Sequence, residues 1–237
     1  MFRTNLPRLP VPNRLLSHLP AEEYLQLVLE LETVSLQPHE VIYEPNQPLS
    51  HVYFPRTGLI SFLIKTRDGL VEVAKAGNEG MLGLPILLGA DRICTVVSTI
   101  IAGEADRLPA SRFRDLVQRC DTLRHVLQRY TQALLCQMAQ LSACHCLHSI
   151  RERCARWLLM TDDRVGSMPF RLTQEFFAQI LGVRRATINR VGSVFQRQGL
   201  IRYSRGRMTI LDRPGLQAIA CECYRVITQE YDRLLGS

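Results

Sequence analysis

A chain of 237 residues with 46% hydrophobic and 22% charged side chains can fold into one or two domains with a sizeable core, which excludes a disordered or fibrous protein. No apolar run reaches the roughly 20 residues of a membrane span, and the N-terminal MFRTNLPRLPVPNRLL is interrupted by Pro and lacks a signal-peptide core, so a cytoplasmic protein with reduced cysteines is expected. The net charge of +7 is unevenly placed: residues 1–148 hold 14 basic and 14 acidic side chains, whereas residues 149–237 hold 15 and 8, the pattern of a sensor or scaffold joined to a nucleic-acid binder.

The chain begins with a Pro-rich arm, followed by a predicted helix at Ala21 to Leu31 with Leu25, Leu27, Val28 and Leu31 apolar. From Val34 to about Leu108 short β runs alternate with turn signals. Val41-Ile42-Tyr43 is closed by Pro45-Asn46-Gln47-Pro48, and His51 to Phe54 by Pro55 and Gly58. Leu59 to Ile64 and Leu70 to Ala74 flank the hairpin signal Arg67-Asp68-Gly69. Thr95 to Ala102 and Glu104 to Leu108 complete the set, and many short strands favour a barrel or sandwich over a parallel sheet.

After Pro109 the period becomes helical. Ser111 to Arg119 reads as a short helix and Asp121 to about Leu141 as a long one. Leu123, Leu127, Tyr130, Leu134, Met138 and Leu141 follow at spacings of 4, 3, 4, 4 and 3, an a/d seam that predicts self-pairing into a parallel homodimer; packing on the chain's own barrel is the alternative. Ser142 to His148 reads as a hinge and Ser149 to Met160 as a helix. Asp162 to Gly166 reads as a connector, and Gly215 to Leu235 as a terminal helix.

The stretch Leu172 to Leu211 carries the chemistry. Thr173 can cap a short helix with Phe176, Phe177, Ile180 and Leu181 on one face, and Gly182 ends it. A second helix starts at Arg184 or Arg185, with Ile188, Val191, Val194 and Phe195 apolar, and stops at Gly199. Two short helices joined by a tight Gly turn form a helix-turn-helix. Leu200 to Tyr203 and Arg207 to Leu211 then read as a hairpin around Ser204-Arg205-Gly206, a wing. Seven arginines and no carboxylate lie between Arg184 and Arg207. With the apolar residues facing inward, Arg184, Arg185, Asn189 and Arg190 project outward, where Arg can pair bidentately with guanine in the major groove. Arg202, Arg205 and Arg207 on the wing suit backbone phosphates. Double-stranded DNA with a near-palindromic site is the expected partner.

A β-rich first half, a long helix and a C-terminal winged helix in this order resemble the Crp/Fnr family of bacterial transcription regulators over roughly residues 30–215. The resemblance implies an α+β chain: an N-terminal cyclic-nucleotide-binding-type β jelly roll, a long dimerisation helix and a C-terminal winged helix-turn-helix. It divides the chain into residues 1–120, 121–148 and 149–237, and implies a homodimer that works with RNA polymerase. Arg185 and Arg190 match the two base-reading arginines of the family's recognition helix. Ala186 stands where a Glu is usual, so a different half-site is implied. Thr173 and Thr187 match positions that touch phosphates. In the sensor half, the Gly-Glu pair and the Arg-Ser that hold a cyclic nucleotide are replaced by Gly83-Leu84-Pro85 and by Ile93-Cys94-Thr95. A cyclic phosphate there would be desolvated with no cation to balance it, so an effector other than cyclic AMP is expected. No cysteine precedes Cys94, unlike family members that hold an iron–sulfur cluster near the N-terminus.

The sequence names no cofactor. His39, His51 and His125 are lone histidines. Cys144 and His148 align at i, i+4, but Cys144-His145-Cys146 and Cys221-Glu222-Cys223 lack the paired spacing of structural zinc sites, so no metal is predicted. A ligand or thiol/redox sensor acting mainly through protein partners is the alternative function. No phosphate loop, Gly-x-Ser-x-Gly or His-Glu-x-x-His occurs, so no catalytic residues are assigned.

Overall fold

A computed structural model describes residues 12–67, 69–166 and 168–236. The first eleven residues of the Pro-rich arm, and Asp68 of the expected hairpin turn, lie outside the described residues.

Helix α1 (Ala21–Val28) leads into β1 (Glu32–Leu36), β2 (Val41–Tyr43), β3 (His51–Pro55), β4 (Leu59–Thr66) and β5 (Gly69–Ala76). The one-turn helix α2 (Leu84–Leu87) separates these from β6 (Val96–Ile101) and β7 (Gly103–Pro109). All strands pair antiparallel, in two sheets of order β1-β7-β3 and β2-β6-β4-β5. Strand β4 reads LISFLIKT without clean alternation because both of its faces are covered. Ile60 and Phe62 enter the barrel core, while Leu59 and Leu63 join a second core built from the C-terminal half. The two-residue period of the strand sets this partition, odd positions facing one core and even positions the other.

Helix α3 (Ala110–Arg119) is followed by α4 (Asp121–Leu147), α5 (Ile150–Val165), β8 (Phe170–Arg171), α6 (Gln174–Ile180), α7 (Arg185–Arg197), β9 (Ile201–Ser204), β10 (Arg207–Ile210), α8 (Arg213–Ile219) and α9 (Cys223–Leu235). At 27 residues, α4 is about 40 Å long. It continues through the expected hinge, and the chain turns only at His148-Ser149. There Ser149 and Glu152 form a reciprocal capping box that starts α5.

Three expectations are corrected. The stripe Leu123, Leu127, Tyr130, Leu134 and Leu141 is buried in the chain's own core, with Met138 packed against it, so it cannot form an intermolecular seam. Tyr130 donates to the carbonyl of Met81 at 3.2 Å, and Ile227, Tyr231 and Leu235 of α9 complete the cover. The connector at Asp162–Val165 is instead the last turn of α5, because its charges have distant partners. Asp162 and Asp163 pair with Arg213, and Arg164 pairs with Glu79 at 2.8 Å. The single terminal helix is two helices, broken at Ala220 (ψ 143°), which lets α9 turn back along α4.

The C-terminal half rests on the outer face of β4 and β5. Trp157 of α5 donates its indole N–H to Glu72 at 3.0 Å, and the Ser61 hydroxyl donates to the other Glu72 oxygen. Lys75 Nζ lies 3.3 Å from Glu72 and 3.9 Å from the Trp157 ring centre. Gln137 of α4 bonds both backbone groups of Lys75 and the Tyr231 hydroxyl, tying barrel, long helix and terminal helix together.

Candidate nucleic-acid interface

The helix-turn-helix forms as its residues require. The Thr173 hydroxyl accepts from the Phe176 N–H and caps α6. Phe177, Ile180 and Leu181 are buried, and Gly182 takes φ +65°, which a side chain would strain. Phe176 is half-buried and packs edge-on against His39 of the barrel, ring centres 5.0 Å apart. On α7, Ile188 and Phe195 enter the second core and Val191 packs against it. The opposite surface is left to the polar residues. Arg184 occupies the N-cap position, Arg185 the first helical position, and both are exposed, as is Arg190. Arg185 has one loose carboxylate neighbour, Glu175 at 4.0 Å. Thr187 and Asn189 are half-buried, and the Asn189 Oδ1 has no hydrogen-bond partner among the described residues.

The wing is a tight hairpin. Arg205 and Gly206 take φ of +49° and +74°, the two left-handed residues of a type I′ turn, and Ser204 pairs with Arg207 across it. Arg202, Arg205 and Arg207 are all exposed. Strand β8 adds a third strand that the sequence reading missed; it places the exposed Arg171 directly opposite Arg207. The signal was there, since buried Phe170 and Leu172 flank Arg171 in strand alternation. The first turns of α7 and the wing sheet thus present guanidinium groups on two adjoining elements, and the free N–H groups at the start of α7 add positive potential.

In the barrel, Gly83 caps α2 at φ +97°, and Leu84 and Ile86 are buried. Cys94 is exposed. Arg92, the guanidinium nearest in sequence to the expected phosphate position, donates to the Asn46 carbonyl and faces Asp91 at the surface.

The family model of the Crp-like helix-turn-helix domain matches residues 152–219, and that of the cyclic nucleotide-binding domain matches residues 33–120. The chain belongs to the Crp/Fnr family. Crp/Fnr proteins are transcription regulators rather than enzymes, and this chain has their fold: sensor barrel, long helix and DNA-binding head. The transcriptional regulatory protein btr of Bordetella pertussis is 24% identical over 223 residues, covering 85% of this chain and 86% of that one. FixK2 of Bradyrhizobium japonicum superposes with a TM-score of 0.68 at 19% identity, over 81% of this chain and 98% of that chain. A Crp/Fnr regulator of Eubacterium rectale does so with a TM-score of 0.67 at 19% identity, over 86% and 96%. Among the described residues no helix is long and apolar enough to cross a membrane.

Proposed function

We propose that this Crp/Fnr regulator is a sequence-specific homodimer in which α7 enters the major groove and the wing grips the flanking backbone. The carrying observation is the arginine set itself. Arg184, Arg185, Arg190, Arg202, Arg205 and Arg207 are all exposed, and no carboxylate occurs between Arg184 and Arg207. Arg185 and Arg190 read base edges, with Asn189 able to pair with adenine or a phosphate. Thr173, Arg184, Thr187 and the wing arginines position the head on phosphates. Arg171 joins the wing set.

Dimerisation uses the other face of α4. Gln128, Gln132, Leu135, Ala139, Ser142 and Cys146 are exposed and follow at spacings of 4, 3, 4, 3 and 4, a stripe of small and polar residues around Leu135. A second copy covering this stripe would set two recognition helices about 34 Å apart on a near-palindromic site. The effector of this reading is not cyclic AMP, because buried Leu84 and Ile86 and the outward Arg92 leave the phosphate without a cation. Contact with RNA polymerase and a cytoplasmic site of action follow from the same reading.

The test is selection of binding sites from random duplexes, followed by affinity measurement with variants. Arg185→Ala or Arg190→Ala is expected to cost about 1–3 kcal/mol at the selected site and to relax preference at one base position. An unchanged ratio of selected to scrambled affinity in either variant would overturn the base-reading role. If no sequence is enriched, the chain acts through protein partners instead.

A further inference from the structure

The end of α4 and the break between α8 and α9 meet in a cluster that DNA reading does not use. Cys144 and His148 stand one turn apart at the end of α4. Cys221 and Cys223 flank Glu222 at the start of α9. The two halves are 77 residues apart in sequence, measured from Cys144 to Cys221, and the fold closes them onto each other. The donor atoms of all four residues lie within 4.8 Å of one another. Cys144 Sγ is 3.5 Å from Cys221 Sγ, and Cys223 Sγ is 3.4 Å from His148 Nδ1. Ligands at about 2.0–2.3 Å from one tetrahedral ion stand roughly 3.3–3.8 Å from each other, so little movement separates this arrangement from a coordination shell. All three thiols are buried and none is in a disulfide.

We propose that Cys144, His148, Cys221 and Cys223 form a tetrahedral Cys3His site for one zinc ion, which pins the end of the long helix to the root of α9. The surroundings are those of a metal site. His148 Nε2 lies 3.1 Å from Glu222 Oε1, so an Nε2–H donated to this carboxylate leaves the Nδ1 lone pair aimed at the thiols. Gln140 Nε2 donates to Cys223 Sγ at 3.2 Å. Three thiolates and a neutral imidazole around Zn²⁺ carry one net negative charge. Arg156, buried from solvent with no hydrogen bond at its Nε among the described residues, lies close enough to act on Cys144 electrostatically, as does Arg153. A buried guanidinium beside an anionic site balances charge that neither could carry alone in an apolar interior.

Three sulfur ligands and one nitrogen in tetrahedral array suit zinc; hard ions take oxygen ligands, and a polynuclear iron–sulfur cluster sets iron and bridging sulfide between its thiolates. Loading is an exchange of protons for metal. Zn²⁺ forms three Zn–S bonds and one Zn–N bond, and each thiol that binds releases its proton to solvent. No electron is transferred. Each half alone lacks the paired spacing of a zinc motif, which is why neither stands out in the sequence.

The test uses the full chain isolated anaerobically and assayed for metal by mass spectrometry. About one zinc per chain is expected. Replacement by Co²⁺ should give the intense visible bands of tetrahedral coordination with thiolate-to-cobalt charge transfer. Cys221→Ser, Cys223→Ser and His148→Ala should each lose stoichiometric zinc, whereas Cys136→Ser and Cys146→Ser should keep it. Glu222→Gln should weaken zinc binding by roughly 10–100-fold against a competing chelator. The cobalt spectrum of the unaltered chain decides the matter even if a cysteine variant fails to fold. Absence of zinc uptake by the reduced chain, an octahedral cobalt spectrum, full zinc retention in Cys223→Ser, or a Cys144–Cys221 disulfide in the anaerobic protein would each overturn the site. None of these outcomes depends on which DNA sequence α7 reads.

Discussion

At the scale of single residues, Arg205 and Lys75 each occupy a place their chemistry does not favour. Arg205 holds φ +49° at the first corner of the wing, where Gly or Asn would be easier. A residue kept under backbone strain points to a function for its side chain. Arg205→Asn should therefore stabilise the hairpin slightly yet weaken binding to all duplexes alike, and lower the salt dependence by about one ion. A duplex-selective loss, measured by titrations at several salt concentrations, would contradict a phosphate role. Lys75 is fully buried, and burial lowers its pKa to about 7 against the pull of Glu72. The unfolded chain then binds more protons than the folded one between about pH 7 and 10.5, so this group makes stability rise with pH across that window. The slope is at most about 1.4 kcal/mol per pH unit. Lys75→Met should flatten the pH profile of unfolding free energy between about pH 7.5 and 9. Parallel profiles for the two proteins would mean that Lys75 stays charged in the fold.

At the scale of elements, the two stripes of α4 make opposite predictions. Leu127 is fully buried between barrel and helices, so Leu127→Asp should unfold the chain or cost at least about 3 kcal/mol. Leu135 is 56% exposed, so Leu135→Glu should leave the thermal midpoint nearly unchanged and convert the proposed dimer to a monomer by light scattering. A dimer mass in Leu135→Glu would move the interface elsewhere. The same helix shows what the sequence could tell. Heptad spacing revealed an apolar stripe but not whose core it enters, because periodicity is identical for a partner helix and for the chain's own barrel. Local chemistry was legible wherever the causes were local. The Thr173 cap, the Gly182 stop and the Arg205-Gly206 corner were all readable, since a cap or a turn is decided within four residues. Asp162-Asp163-Arg164 misled as turn residues because Arg213 and Glu79, which satisfy them within a helix, lie 50 and 85 residues away. For the same reason the Cys144–His148 and Cys221–Cys223 pairs look incomplete in sequence and meet only in the fold.

At the scale of the molecule, the DNA-binding head is docked on the barrel by polar contacts as well as apolar ones, which is what a sensor needs if its state is to reach the head. Arg164 offers the clearest test. Its guanidinium donates to Glu79 at 2.8 Å and to the Met160 carbonyl at 2.7 Å, and both side chains are nearly closed to solvent. Among the described residues, removing the cation leaves Glu79 the backbone N–H of Gly77, at 3.2 Å, so Arg164→Ala should cost about 3–5 kcal/mol in denaturant unfolding. Arg164→Met combined with Glu79→Leu removes both charges and fills similar volume, and should recover most of that loss. The pair therefore separates two meanings of the contact. If the double variant regains stability but binds DNA with an affinity no longer sensitive to changes in the barrel, the ion pair transmits the sensor's state to the head. If it regains both, the pair only fills the interface, and the coupling runs through Trp157, Glu72 and the strap of α9 instead.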